Sequence, residues 1–196
     1  EIPLRLVGSE MCIRDSATRA VNQPEFFNTF SQMGAKKGFV LMSMWGCGGT
    51  SIATLKPFKK LADLKGRKIR VLATPLERAV IGSLGATGVP IPYSEVLPSM
   101  QRKTIDGVRS SIGVMHPSKF WTVAKSITLT GMAQITCGSF TSTAWLNKLP
   151  SDLKKIVMDV AKASTKHAGK WGHDLTRAAE KNLSLIHISE PTRRRG

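Results

Sequence analysis

Apolar and polar positions along the chain fall into short segments whose periodicity switches repeatedly between helix and strand. Pro24–Gly34, "PEFFNTFSQMG", sets Phe26, Phe27, Phe30 and Met33 at helical spacing and closes on a glycine, which predicts a short amphipathic helix. Gly38–Trp45, "GFVLMSMW", is a continuous apolar run of strand length, the pattern of a strand buried on both faces of a parallel sheet. The "GCGGT" that follows predicts a flexible loop. "LKPFKKLADLKG" holds a turn bounded by proline and one helical turn ahead of a strand at Lys68–Leu72. Thr74 and Pro75 supply the N-cap and first position of a helix with a buried stripe of Leu76, Ala79, Val80, Ile81 and Leu84, stopped by "GATG". "VPIP" is a short extended segment, after which Ser94 caps a further helix with Glu95 in its first turn.

"TIDGVRSS" predicts a strand that turns at Asp106-Gly107 and resumes. "SKFWTVAKSITLT" places Phe120, Val123 and Ala124 on one helical face before a strand, and "MAQITCGSFTSTAWL" reads as extended. From Ser151 as cap, one long helix carries a stripe of Leu153, Ile156, Val157, Val160, Trp171 and Leu175. Strands alternating with helices predict an α/β fold with a mainly parallel sheet, and no internal repeat is present.

The composition fits an ordinary globular chain: 196 residues, 41% hydrophobic and 21% charged, enough for one domain or two small lobes with a core. No run of 18 or more apolar residues occurs, so no membrane-spanning helix is predicted. The formal charge of +16 prompts an alternative reading, a small basic nucleic-acid-binding or regulatory domain. The basic residues are scattered, however, without the interleaved aromatics of a single-strand platform. A solvated basic surface that steers small anions accounts for the same charge.

The two ends are related in an unusual way. Leu6–Ser16, "LVGSEMCIRDS", can be encoded by a DNA whose reverse complement translates as "LSLIHISEPTR", which is Leu183–Arg193. Both resemble the translated ends of a transposon adapter used in sequencing libraries. Residues 1–16 and 184–196 are therefore expected to be non-native read-through, and Cys12, His187 and the terminal arginines to carry no functional information.

Catalytic chemistry finds no constellation. His116, His167 and His173 are dispersed, and the last two, six residues apart on one helix, do not share a face. The carboxylates are isolated, and no HExxH, GxSxG or GK[ST]-closed phosphate loop occurs. Cys47 and Cys137 match no metal or redox spacing. The expectation is a binding protein, not an enzyme, with no catalytic residue, no metal site and no cofactor. One residue stands out: Arg70 lies between Ile69 and Val71 in a predicted strand, where a guanidinium needs an anion. That anion is either a ligand or a protein carboxylate such as Glu77 or Asp106.

In order and spacing, "LKGRKIRV" with its following proline, "LGATGVPIPYSEVLPSMQRKTIDGV", "KFWTVAKSITLT" and "WLNKLPSDLKKIV" resemble the solute-binding proteins of tripartite ATP-independent periplasmic (TRAP) transporters, the DctP-like family. The resemblance covers about residues 39–183. It implies a periplasmic-binding-protein-like two-lobe α/β architecture, type II-like, that closes by a hinge around its ligand. It also implies a periplasmic location, and capture of a small organic acid for the membrane permease subunits of a TRAP transporter. Family members are about twice this length, so an incomplete first lobe is expected. The implied division is 17–61 for part of lobe 1 and the crossover, 62–126 for lobe 2, and 127–183 for the return crossover strand and long helix of lobe 1. Among site residues, the resemblance assigns the ligand's carboxylate to Arg70 and a wall of the cleft to Tyr93. The residues after Asp106-Gly107 also face the ligand in the family. Here they read Val108-Arg109-Ser110-Ser111, departing from the usual acidic-amide-proline run. Ser110 is thereby expected at the ligand, while Arg109 is either a second anion contact or a solvated charge.

Overall fold

The computed structural model describes residues 16, 19–183 and 188–189. Its central feature follows from "KIRV": β-branched residues alternating with an arginine build β2 (Lys68–Val71), and Thr74-Pro75 turns the chain into α2 (Pro75–Ser83). Thr74 caps that helix, its Oγ1 accepting from the Glu77 N–H at 3.2 Å. Before these come α1 (Pro24–Ala35), β1 (Phe39–Thr54) and a 3-10 turn at Leu61–Leu64. After them come β3 (Thr87–Pro90), a 3-10 turn at Tyr93–Glu95, α3 (Val96–Gln101), β4 (Gly107–Ser111) and α4 (Ile112–Met115). A 3-10 turn at Phe120–Thr122 leads to β5 (Ser126–Ser142), α5 (Thr143–Asn147), α6 (Ser151–Leu183) and β6 (Ile188–Ser189).

The six strands form one sheet in the order β3-β2-β4-β1-β5-β6. β2 runs parallel to β3 and to β4, as the α/β pattern predicts, whereas β1 is antiparallel to β4. The sheet is thus mixed. Gly107 opens β4 at a crowded point, where any Cβ would collide with the Ala53 carbonyl of β1. Asp106 just before it accepts the Lys68 N–H at 2.8 Å and ties β4 to β2, so "DG" here starts a strand rather than interrupting one.

The chain divides into two compact units: one up to Gly48 with Gln134–Asp174, the other Gly49–Ala133 with the chain from Leu175 onward. The borders fall inside β1, β5 and α6. In the second unit one sheet face carries Ile52, Ile69 and Val71 beneath Ile81 of α2, all fully buried. The other face carries Ala53 and Val108 beneath Val96 and Met100 of α3, with Phe120 and Ala179. Each of the larger of these side chains, valine and upward, contributes about 1.5–3 kcal/mol by leaving water. In the first unit a smaller core joins Val21, Leu41 and Met44, with Phe27 against it. Cys47 and Cys137 form a disulfide there, with Cα atoms 6.0 Å apart.

Several local expectations are corrected. "GCGGT" is not a loop: β1 continues through it, with Gly48 at φ 95°. Partners remote in sequence hold it in the strand, since Cys47 is tied to Cys137 and the Thr50 carbonyl accepts from Thr130 Oγ1 at 2.8 Å. Ser94 does not cap a helix; it lies inside a 3-10 turn, and α3 begins after Glu95 without a side-chain cap. Ser151 is the first helical residue of α6, and the Pro150 carbonyl accepts the first helical bond, from Lys154. Of the α2 stripe only Ile81 is buried, and Leu76 is 71% exposed.

The α6 stripe is largely uncovered, with Ile156 at 55%, Val160 at 62% and Trp171 at 65% exposed. Phe26, Phe30 and Met33 of α1, in the same unit, are exposed as well. Amphipathic periodicity marks a face able to be buried; it does not supply the layer that buries it. Apolar area left in water favours association and dye binding. A dye that fluoresces on apolar surfaces is therefore expected to brighten on the native chain and to lose that signal in strong denaturant. A signal no greater than that of a well-covered globular protein of equal size would contradict this reading of α1 and α6.

The expected read-through segments, 1–16 and 184–196, lie mostly outside the described residues, as do Cys12 and His187. Of them only Ser16 and the pair Ile188–Ser189 are described, the pair lying parallel to β5 opposite Ile127 and Thr128.

Candidate functional site

The carboxyl ends of β2, β3 and β4 lie side by side in the second unit, the place where open α/β sheets present side chains and loop backbone to ligands. Arg70 is the penultimate residue of β2, opposite Val89 on β3 and Val108 on β4. It is 5% exposed. Its Nε donates to the Ile91 carbonyl at 3.2 Å, just past the end of β3. Its guanidinium carbon stands 5.6 Å from the centre of the Tyr93 ring, within cation–π range.

Among the described residues no carboxylate lies within 4.0 Å of the Arg70 guanidinium. Both protein partners considered for it are engaged elsewhere. The Glu77 carboxylate accepts through both oxygens from Arg109 Nη1, and Asp106 accepts from the Lys68 backbone. Burial pulls the Arg70 guanidinium below its ordinary pKa, opposed by the fields of Tyr93 and Glu77. Guanidinium remains charged at neutral pH regardless. Arg70 is thus a desolvated cation bound to the protein through one carbonyl and one ring face, and chemically it calls for an anion.

Tyr93 is held by both ends. Its hydroxyl hydrogen-bonds the Val114 carbonyl at 3.2 Å and the Ser118 hydroxyl, and its ring leans on Phe120 with centroids 5.7 Å apart. The ring nevertheless remains 42% exposed, presenting an aromatic wall beside Arg70.

The residues after Gly107 divide by strand alternation. Val108 stands opposite Arg70, so Ser110, two residues on, shares the Arg70 face and is half-buried opposite Ser51 of β1. Arg109 projects to the other face, above Ile52, where it pairs with Glu77 of α2. It is buried, so the solvated-charge reading of Arg109 does not hold, and its charge is already matched by a protein carboxylate. Sequence reasoning missed Ser111, whose hydroxyl is fully buried and has no hydrogen-bond partner among the described residues. It missed the Glu77–Arg109 pair as well; nothing local in the chain announces a contact between the first turn of α2 and β4.

The profile of the DctP family, the bacterial extracellular solute-binding proteins of family 7, matches residues 13–189. The 2,3-diketo-L-gulonate-binding periplasmic protein YiaO of Escherichia coli is 35% identical over 95 residues, 48% of this chain and 29% of that protein. The C4-dicarboxylate-binding periplasmic protein DctP of Shewanella loihica is 27% identical over 143 residues, 73% of this chain and 41% of that one. The chain thus spans less than half the length of these relatives. A crystal structure of a TRAP periplasmic solute-binding protein from Pseudomonas putida F1 with bound D-glucuronate superposes with a TM-score of 0.83 at 24% identity, covering 89% of this chain and 58% of that one. One from Shewanella oneidensis with bound succinate gives 0.84 at 23% identity, covering 91% and 59%. The expected periplasmic-binding α/β fold is therefore observed. The family consists of extracellular solute binders rather than enzymes, and the disulfide suits an oxidising compartment such as the periplasm. The chain belongs to the bacterial extracellular solute-binding protein family 7, the DctP family.

Proposed function

We propose that this protein captures a small organic acid in the periplasm and delivers it to the membrane permease subunits of a TRAP transporter. The observation that carries the reading is Arg70: a buried guanidinium at the carboxyl ends of parallel strands, with no protein carboxylate within 4.0 Å among the described residues. A planar fork of N–H donors binds carboxylate through two parallel hydrogen bonds, each contributing about 1.5–3 kcal/mol in a water-poor site. Tyr93 forms the adjoining wall, and Ser110, on the same sheet face, offers a hydroxyl to the ligand. The ligands named for the relatives share this chemistry: 2,3-diketo-L-gulonate, C4-dicarboxylates, D-glucuronate and succinate all carry a carboxylate. Family membership favours this over the basic nucleic-acid-binding reading, which rests on net charge alone.

The test is calorimetric titration of the protein with succinate, L-malate, D-glucuronate, D-galacturonate and 2,3-diketo-L-gulonate. At least one is expected to bind, and its methyl ester or amide is expected not to. Equal binding of an acid and its neutral amide would remove the carboxylate anchor from the proposal. Tight binding of a duplex oligonucleotide, weakening steeply with salt, would favour the alternative.

A further inference from the structure

Among the described residues of the second unit two guanidiniums are buried, Arg70 and Arg109, and the Glu77 carboxylate pairs with the second of them. The connection from β2 to α2 is only Leu72–Thr74, so the first turn of α2 must sit at the carboxyl end of β2, beside Arg70. The Thr74 cap fixes Glu77 within that turn. An acid so placed is a natural partner for Arg70, and its field is already felt there. Yet its two oxygens accept from Arg109, on the sheet face that α2 covers and opposite to that of Arg70. The Arg109 side chain is 6% exposed and that of Glu77 19%. Two buried cations and one anion leave a single positive charge, which one ligand carboxylate balances.

We propose that Arg109 is a positioning residue for ligand capture: by holding the Glu77 carboxylate on its own face of the sheet, it keeps that acid off Arg70 and leaves Arg70 free for the ligand. The inference rests on Arg70 being the carboxylate anchor. Without Arg109, Glu77 is a poorly solvated carboxylate whose remaining buried cation, among the described residues, is Arg70. A charge-assisted pair between them would occupy the fork that the ligand needs. A purely structural clamp of α2 onto β4 makes a different prediction, because losing it loosens α2 whatever residue stands at position 77.

The experiment needs no ligand and uses the chain itself. The arginine Nε–Hε resonances are recorded by proton–nitrogen correlation, Arg70 being assigned by its loss in Arg70→Lys. Arg109→Leu is expected to move the Arg70 signal by more than a linewidth as Glu77 pairs with it. The double variant Arg109→Leu/Glu77→Gln is expected to return the signal to its original position, and Glu77→Gln alone to leave it there. Arg109→Gln, which keeps a polar donor but is uncharged and too short to reach Glu77 as arginine does, covers the case in which Arg109→Leu does not fold, and it is expected to behave as Arg109→Leu does. An unmoved Arg70 signal in the Arg109 variants, or a shift that persists in the double variant, would overturn the proposal and leave only a structural clamp. Failure of the anchor reading itself would show separately, as unchanged acid binding in Arg70→Lys.

Discussion

Reducing the Cys47–Cys137 disulfide is expected to lower the melting temperature of the first unit by about 10 °C or more. The bond closes a loop with a sequence separation of 90. Residues 49–133 of that loop belong to the second unit, so while that unit stays folded the effective loop is short, and in the chain-entropy description the bond restricts the unfolded first unit by ~2–3 kcal/mol. The core beside it is small, built on Val21, Leu41 and Met44, so little else compensates. Trp45, Trp145 and Trp171 all lie in this unit, so indole fluorescence reports mainly on it. Cys47→Ser/Cys137→Ser is expected to melt as the reduced protein does, and the reductant to have no effect on that variant. The second unit carries the larger cores, and exchange protection of Ile69 and Val108 amides is expected to survive reduction. Equal melting of oxidised and reduced protein would mean that the cross-link joins strands already held by other contacts.

That bond also marks where sequence reading stops. Two cysteines far apart form no local pattern, and their meeting depends on β1 and β5 lying side by side in the sheet, a tertiary fact. The same pairing converts "GCGGT" from a glycine-rich loop into strand. Local signals fared better where the physics is local: Thr74-Pro75 started a helix where capping chemistry placed one, and "KIRV" formed a strand. At the site, Arg70 was legible because an arginine between two β-branched residues has few ways to be satisfied. The pairing of Arg109 with Glu77 was not, because Glu77 lies 32 residues away on another element and on the opposite face from Arg70. The stripe of α6 was legible as periodicity but not as burial, since a sequence pattern names a face without naming its cover.

Replacing Arg70 should separate ligand binding from folding. Arg70→Lys keeps the positive charge but loses the planar fork, so affinity for the organic acid is expected to fall at least tenfold, about 1.4 kcal/mol. Arg70→Ala leaves the bound carboxylate desolvated without a partner. The loss of two charge-assisted hydrogen bonds, about 3 kcal/mol or more, corresponds to a weakening on the order of a hundredfold or beyond. The fold should respond differently. Arg70→Ala removes one bond to the Ile91 carbonyl and one contact with the Tyr93 ring, each contributing about 1 kcal/mol. It also relieves the burial of a cation whose pKa is already pulled down by desolvation, and that relief opposes the loss. The ligand-free melt is therefore expected to move little, while the stabilisation that saturating acid gives the wild type disappears from the variant. Calorimetry and thermal melts on the same preparations read both effects. A native-like melt with undiminished affinity would show that Arg70 serves only the protein interior, whereas a collapsed ligand-free melt would make it a structural ion although no carboxylate lies within 4.0 Å of it among the described residues.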